Sequence, residues 1–308
     1  MPDAERIARL RGLGAHLSSS IRGQEHLLPR VTAALLRAEF GLAAPARPVA
    51  SFFFLGPTGT GKTELAKCFT EYLFGAERLF RFDLSEYQNQ SSVERLLGQD
   101  RSDRGLLGQV LATQRKGTLL FDESEKAHPL VLDLFHQMLD AAQITTATGE
   151  TFSLEGFVIV FTSNLGSAEA LRMERSSHAA IEAATLRRLQ QSLRAEFIAR
   201  LDERLVFARL TPPVLEEICS AMITREISRL RQLGHDLACE RSVAVFLMRQ
   251  GYDRERGARP MRQAVEQHIQ QAVVNELFRT GTVEGTLQVN DAASGLCIRP
   301  RHPREIAA

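Results

Sequence analysis

The sequence predicts an α/β protein, with a parallel sheet sandwiched by helices and a small, mostly helical C-terminal domain that adds a few short strands. Three observations support this prediction. The chain has 308 residues, enough for two domains with separate cores, and 44% of them are hydrophobic. Short apolar runs alternate with longer amphipathic stretches between residues 51 and 207, the rhythm of layered strands and helices. Beyond residue 207 a long helical pattern begins at two prolines.

Each predicted element follows from the spacing of its apolar residues. Strands are predicted at residues 51–55, 79–83, 117–121, 157–162 and 204–207. A helix is predicted over residues 24–40, because apolar residues recur there at helical spacing. In the C-terminal part we expect helices over 211–233, 243–249 and 260–279, and short strands at 235–239 and 286–289. Thr211 is the expected cap of the first of these helices.

The changes of pattern also predict the domain boundaries. We expect an N-terminal extension at 1–20, a large α/β domain at 21–210, a small C-terminal domain at 211–298 and a flexible tail at 299–308. The tail is basic and contains proline, which is typical of a frayed terminus. Few residues precede the first predicted helix, so we expect the two domains to act as a stand-alone module.

Charge and hydropathy exclude several classes of partner. The formal net charge is +1, from 38 basic and 37 acidic residues, and gives no excess of basic residues for binding nucleic acid. The longest apolar runs have strand length, well short of the roughly 20 residues that span a bilayer. The first residues are charged and lack the apolar core of a secretory signal, so we expect a cytoplasmic protein.

A phosphate-binding motif lies between the first predicted strand and a helix-forming run. It consists of Gly56, Pro57, Thr58, Gly59, Thr60, Gly61, Lys62 and Thr63, followed by Glu64. The glycines permit backbone conformations that point successive N–H groups into one concavity, at the positive end of the following helix. We expect Lys62 to reach the β and γ phosphates and the Thr63 hydroxyl to ligate Mg²⁺. The motif therefore predicts ATP and Mg²⁺ as cofactors.

Two carboxylates end the apolar run at residues 117–121, in the arrangement called Walker B. A P-loop protein needs an acidic residue on a neighbouring strand to hold Mg²⁺, and Asp122 suits that role. It also needs a group that orients or deprotonates the attacking water, which we assign to Glu123.

Three further segments carry a family resemblance. They are residues 121–129, Phe-Asp-Glu-Ser-Glu-Lys-Ala-His-Pro; residues 162–166, Thr-Ser-Asn-Leu-Gly; and residues 257–260, Gly-Ala-Arg-Pro. Over about residues 21–289 the chain resembles the second ATPase module of the Clp disaggregases and unfoldases, such as ClpB, ClpA, ClpC and ClpV. The resemblance implies an AAA+ P-loop NTPase fold, a C-terminal lid, ATP hydrolysis, a homohexameric ring and a specific protein client.

The resemblance also implies roles for single residues. Ile21 and Arg22 correspond to the segment that contacts adenine, although Arg22 replaces an apolar residue. Asn164 resembles the polar sensor that positions the hydrolytic water. Arg259 resembles a second sensor, which the small domain carries onto the phosphates of its own subunit.

An arginine finger is implied in the segment 197–202. Arg200 matches the family position, next to Ala199 where the family usually has asparagine, and Arg194 and Arg204 are the alternatives. Such a finger reaches the γ-phosphate of the neighbouring subunit and stabilises the charge of the transition state.

The chain departs from the family between residues 99 and 105. The family's unfoldases carry an aromatic pore loop there, typically Gly-Tyr-Val-Gly, whereas this chain reads Gln-Asp-Arg-Ser-Asp-Arg-Gly. Charged, well-hydrated side chains do not replace a flat aromatic wedge that grips a threaded polypeptide.

Three hypotheses follow from this departure. The first is an ATPase ring that remodels one particular protein partner. The second is a switch or scaffold whose ATP-dependent oligomerisation regulates a partner without threading. The third is a nucleic-acid remodeller, which the local charge disfavours because Asp100 and Asp103 offset Arg101 and Arg104.

Overall fold

A computed structural model describes residues 4–42, 46–89, 91–253 and 256–300. The chain divides into two compact units. Met1–Pro57 and Gly61–Arg209 form the first unit, and Thr58–Thr60 and Leu210–Ala308 form the second.

The first unit is built on a parallel sheet. Its strands are β1 Ala50–Leu55, β2 Leu79–Asp83, β3 Gly117–Asp122, β4 Gln143–Thr145, β5 Thr151–Ser153, β6 Phe157–Ser163 and β7 Glu203–Val206. Five of them form one sheet in the order β2-β3-β6-β1-β7, with every neighbouring pair parallel. All five predicted strands are present, each within one residue of its predicted ends. The antiparallel pair β4-β5 was not predicted.

Helices cover both faces of this sheet. They are α1 Ala4–Arg11, α2 Leu13–Ser20, α3 Leu28–Glu39, α4 Lys62–Leu73, α5 Ser92–Leu97, α6 Gly105–Thr113, α7 Pro129–Ala141, α8 Ser167–Arg172, α9 His178–Ser192 and α10 Ala195–Arg200. The predicted parallel sheet sandwiched by helices is therefore confirmed.

One helix starts later than predicted. We expected a helix from residue 24, but α3 begins at Leu28, with Pro29 in its first turn. Gln24 is fully buried, and its side chain exchanges two hydrogen bonds with the backbone of Ala208, each of 2.9 Å. The Gln24 side chain thus joins two chain segments that are distant in sequence.

The core of the first unit lies on both sides of β1, where three phenylalanines follow one another. Side chains alternate across a strand, so Phe53 faces one apolar cluster while Phe52 and Phe54 face the other. Phe161 of β6 packs on the Phe53 side, with ring centroids 5.9 Å apart. Each fully buried phenylalanine contributes roughly 1.5–3 kcal/mol by removal from water. Burial on both faces explains why these strands read as unbroken apolar runs.

The segment predicted as an N-terminal extension contributes to this core. Residues 4–20 form α1 and α2, whose side chains Leu10, Leu13 and Leu17 are at most 1% exposed. They belong to the same apolar cluster as Phe52.

The second unit is mostly helical, as predicted. Its elements are α11 Pro212–Gln232, α12 Arg241–Gly251, α13 Arg259–Thr280, β8 Asp236–Cys239, β9 Glu284–Val289 and β10 Leu296–Arg299. The strands form a small sheet in the order β10-β9-β8. Ile223 and Ile227 of α11 are buried in the core of this unit.

Two local expectations need correction. Thr211 occupies the N-cap position of α11 as expected, but its side chain makes no capping hydrogen bond. Arg299 belongs to β10 rather than to a frayed tail, because it pairs with Thr286 of β9. Residues 301–308 of the predicted tail lie outside the described residues.

Within the described ranges, no helix combines the length and apolar character that crossing a membrane requires.

Candidate nucleotide-binding site

The phosphate loop joins β1 to α4, and its glycines adopt conformations that other residues resist. Gly56 has φ +124°, and a Cβ atom there would lie 2.8 Å from the carbonyl oxygen of Phe207. Gly61 precedes α4 with φ +103°. The N-cap residue of α4 is therefore a glycine, which has no side chain that could cap the helix. A helix N-terminus of this kind binds phosphate.

Lys62 is the first residue of α4, and its side chain is only 8% exposed. Its ammonium group donates to the carbonyl oxygens of Gly56, at 2.6 Å, and Pro57, at 2.9 Å. It also donates to the side-chain oxygen of Asn164, at 3.1 Å. Three of the predicted site residues are thus in contact with Lys62.

Burial lowers the pKa of Lys62 to about 8. Desolvation is the largest cause, and the carboxylates of Asp122, Glu125 and Glu123 oppose it. The charges of three carboxylates therefore act on the buried ammonium of Lys62, so negative charge is concentrated at this edge of the sheet.

The strand order explains why these residues meet. In the sheet, β6 lies between β1 and β3 and pairs with both in parallel. The carboxyl ends of all three strands therefore lie at the same edge. The phosphate loop follows β1, Asp122 ends β3, and Asn164 comes directly after β6. In parallel α/β sheets ligands bind at the carboxyl ends of the strands, where the order of connections leaves a crevice.

Asp122 is held by two groups that the sequence analysis missed. Its carboxylate accepts a hydrogen bond from the Thr162 hydroxyl and pairs with the Arg81 guanidinium at 2.7 Å. The Thr162 hydroxyl oxygen also accepts the backbone N–H of Glu123, at 3.2 Å. One buried threonine on β6 therefore contacts both predicted Walker B acids. Thr162 belongs to the segment 162–166 but had no predicted role, and Arg81 lies in no motif, because both contacts depend on the pairing of distant strands.

Glu123 has an unusual backbone. Its φ is +57°, in the left-handed region that residues other than glycine adopt infrequently. Its carboxylate pairs with Lys126. Such conformations concentrate at functional sites, because the surrounding structure must compensate for their cost.

The residues present fit a magnesium–nucleotide complex. The N-terminus of α4 offers N–H groups to phosphate, and Lys62 adds a positive charge. The Thr63 hydroxyl and the Asp122 carboxylate are oxygen donors of the kind that Mg²⁺ prefers. When bound, the ion would neutralise negative charge on the phosphate oxygens. Glu64 lies in the first turn of α4.

Arg200, the expected arginine finger, makes its contacts elsewhere in the first unit. It ends α10, and its guanidinium donates to the carboxylate of Asp140 on α7. Arg194, one alternative, pairs with Asp133 at 2.5 Å, and its side chain is 70% exposed. Arg204, the other alternative, lies within β7. The finger role of Arg200 stays a prediction.

The remaining predicted residues occupy other positions. Ile21 is 4% exposed and packs into the core of the first unit. Arg22 donates a hydrogen bond to the carbonyl of Ser18. Arg259 is the first residue of α13 in the second unit. Thr58, Gly59 and Thr60 form the part of the phosphate loop that groups with the second unit. Adenine contact and phosphate sensing by these residues stay predictions.

Comparison with protein families identifies the class. Residues 47–204 match the model for the AAA domain of the Cdc48 subfamily, and residues 210–289 match the C-terminal, D2-small domain of the ClpB protein. The first match covers about half of the chain. The fold and the site thus define an AAA+ ATPase.

Similar proteins identify the family within this class. The chain is 36% identical over 305 residues to the chaperone protein ClpB of Aquifex aeolicus, with 94% of this chain and 30% of that protein aligned. It is 34% identical over 294 residues to the negative regulator of genetic competence ClpC/MecB of Bacillus subtilis, with 91% and 36% aligned. The chain spans about a third of the length of these relatives.

A solved structure agrees with the sequence comparisons. A closed-state cryo-EM reconstruction of Hsp104 with ATPγS and FITC casein matches with a TM-score of 0.85 and 28% identity. The match covers 96% of this chain and 52% of that chain. The chain belongs to the Clp family of AAA+ ATPases.

Proposed function

We propose that the chain hydrolyses ATP within a homohexameric ring and uses the energy to remodel one particular protein partner. The observation that carries this proposal is the contact of Lys62 with both the phosphate loop and Asn164. That contact joins the predicted phosphate-binding group to the predicted sensor at the edge where β3 ends at Asp122 and Glu123 follows.

The roles of the residues follow from their chemistry. Lys62 and the N-terminus of α4 bind the phosphates, and Thr63 and Asp122 hold Mg²⁺. Glu123 takes a proton from the attacking water, which Asn164 orients. Residues 21–210 carry these groups, whereas residues 211–298 act as a lid that brings Arg259 to the γ-phosphate.

Arg200 completes the site of a neighbouring subunit in this proposal. Its side chain is 27% exposed, and its guanidinium has a charged partner, Asp140, within its own subunit. Ring assembly would exchange that carboxylate for the γ-phosphate of the neighbour, since both are anions that accept a guanidinium fork.

The Glu123→Gln variant tests the proposal. It should bind ATP and form a ring but release no phosphate, and it should retain its client long enough for affinity capture. Glu155→Gln, an exposed site on the β5–β6 connection, serves as the control and should turn over ATP like the wild type. Nucleotide binding, phosphate release and sedimentation with ATP are the measurements. A wild type that stays monomeric and releases no phosphate would contradict the proposal.

A second candidate function is supported by the loop over residues 99–104. This loop lies where the family carries its aromatic grip, and Arg104 forms a double hydrogen bond with Glu150, at 2.5 and 2.8 Å. A polar loop tied to a neighbouring turn suits a switch that regulates a partner without threading it. We expect the purified ring to hydrolyse ATP without unfolding generic tagged substrates.

Two outcomes separate these candidates. Efficient unfolding of a tagged substrate would contradict the expectation that threading is absent. Full cellular function of Glu123→Gln would favour the switch, because turnover would then be unnecessary.

A further inference from the structure

One carboxylate at the site has no role in the mechanism above. Glu125 lies in the short turn Ser124–Lys126 after β3, two residues beyond Glu123. One of its carboxylate oxygens accepts the backbone N–H of Asn164, at 3.1 Å. Its other oxygen is buried and has no hydrogen-bond partner within the described part of the chain. Buried acceptors without partners are costly, so their retention needs an explanation.

The position of Asn164 explains why its N–H needs a side-chain acceptor. The ladder between β1 and β6 ends at the pair Leu55 and Ser163. Asn164 is the next residue, so its N–H lies beyond the last strand partner. A backbone N–H that leaves a ladder must find another acceptor or lose a hydrogen bond. The Glu125 carboxylate takes the place of the missing strand.

Other hydrogen bonds fix the same turn. The carbonyl oxygen of Asn164 accepts the Ser167 hydroxyl, at 2.6 Å, and the Ser167 N–H, at 3.1 Å. The Asn164 side-chain oxygen accepts from Lys62. The backbone N–H, the backbone carbonyl and the side chain of Asn164 thus each form hydrogen bonds with a different part of the chain. Among these hydrogen bonds, only the one to Glu125 involves the segment that carries the Walker B acids.

The charge of Glu125 acts in the same direction. It favours the charged form of Lys62, whose ammonium bonds to Asn164. Glu125 therefore interacts with Asn164 in two ways. It accepts a hydrogen bond from the Asn164 backbone directly, and its charge favours the Lys62 ammonium that donates to the Asn164 side chain.

We propose that Glu125 is a positioning residue, whose hydrogen bond to the backbone of Asn164 aims the Asn164 side chain at the hydrolytic water. The inference rests on the proposed function, which assigns that water to Asn164. Displacing a catalytic group by about 1 Å can cost about 100-fold in rate. Loss of the hydrogen bond should therefore lower turnover far more than nucleotide binding.

Three substitutions separate the hydrogen bond from the charge. Glu125→Gln keeps an acceptor oxygen at the same distance and loses the charge. Glu125→Asp keeps the charge but withdraws the oxygen by one methylene. Glu125→Ala removes both. Glu155→Gln is the matched control, because that glutamate is exposed.

We expect Glu125→Ala and Glu125→Asp to lower kcat by about 10- to 100-fold, with nucleotide affinity within about threefold of wild type. Glu125→Gln should retain most of the turnover. The measurements are kcat and KM for ATP, affinity for ADP and the thermal unfolding midpoint. If Glu125→Ala does not fold, the comparison of Glu125→Gln with Glu125→Asp still shows whether turnover depends on the hydrogen bond or on the charge.

Two results would overturn this inference and leave the proposed function standing. One is a wild type that hydrolyses ATP while Glu125→Ala turns over within twofold of it. The other is a Glu125→Asp variant that is more active than Glu125→Gln, since charge and not the hydrogen bond would then matter. A wild type that releases no phosphate would overturn the proposed function and this inference with it.

Discussion

Replacement of Thr162 by valine should destabilise the first unit, because one buried hydroxyl serves both Walker B acids. Thr162 is 1% exposed, so water does not readily replace its hydrogen bonds. Its hydroxyl donates to the Asp122 carboxylate and accepts the N–H of Glu123 at 3.2 Å. Valine has nearly the same shape and lacks both functions.

The expected magnitude follows from these contacts. A hydrogen bond to a charged group contributes about 1.5–3 kcal/mol. The methyl group that replaces the hydroxyl returns about 0.8 kcal/mol through burial of apolar surface. Asp122 keeps its ion pair with Arg81, so its charge is not left alone. We expect a net loss of about 1–2 kcal/mol in the free energy of unfolding.

Urea unfolding followed by far-UV circular dichroism measures this loss, and the chain has no tryptophan for a fluorescence signal. The chain has two units, so Phe53→Leu, in the core of the first, identifies the transition to compare. Thr162→Ser is the control, because it keeps the hydroxyl and loses one methyl group. If the valine variant is as stable as wild type, or more stable than the serine variant, the hydroxyl does not have the importance assigned to it.

Three further predictions concern other parts of the chain. Gly166→Ala should lower stability by about 1–3 kcal/mol, because φ is +88° and the new Cβ would lie 2.4 Å from the Thr185 side chain. Gly149→Ala, at φ +84° with open space around it, is the control and should cost less by thermal unfolding. Arg200→Ala should lose turnover alone but regain it when mixed with inactive Glu123→Gln subunits. In the mixed ring the Glu123→Gln subunits supply the arginine finger and the Arg200→Ala subunits supply Glu123. Phosphate release that does not recover would contradict action between subunits. Burial raises the pKa of the Cys219 thiol to about 11, and the residue is fully buried, so Cys219 should not react with a thiol reagent in the folded chain at pH 8; labelling of Cys219 under native conditions would contradict this.

Much of the fold was predictable from local sequence. The three central strands of the main sheet, β1, β3 and β6, are buried on both faces, so each reads as an apolar run with recognisable ends. The hairpin β4-β5 was missed, because its strands have three residues each and expose alternate side chains. The short strand β10 was missed for a related reason, since only its pairing with β9 makes it a strand.

The candidate site divides in the same way. The phosphate loop and the Walker B acids were recognisable as contiguous motifs, because their chemistry depends on neighbouring residues, and Asn164 was recognisable from the family resemblance. The hydrogen bond from Thr162 to Asp122 and the one from Asn164 to Glu125 became apparent only in the folded chain. These partners are about 40 residues apart in the chain, and the order and register of parallel strands bring them together. A periodic pattern records which face of a strand is buried, but it does not record which strand lies beside it.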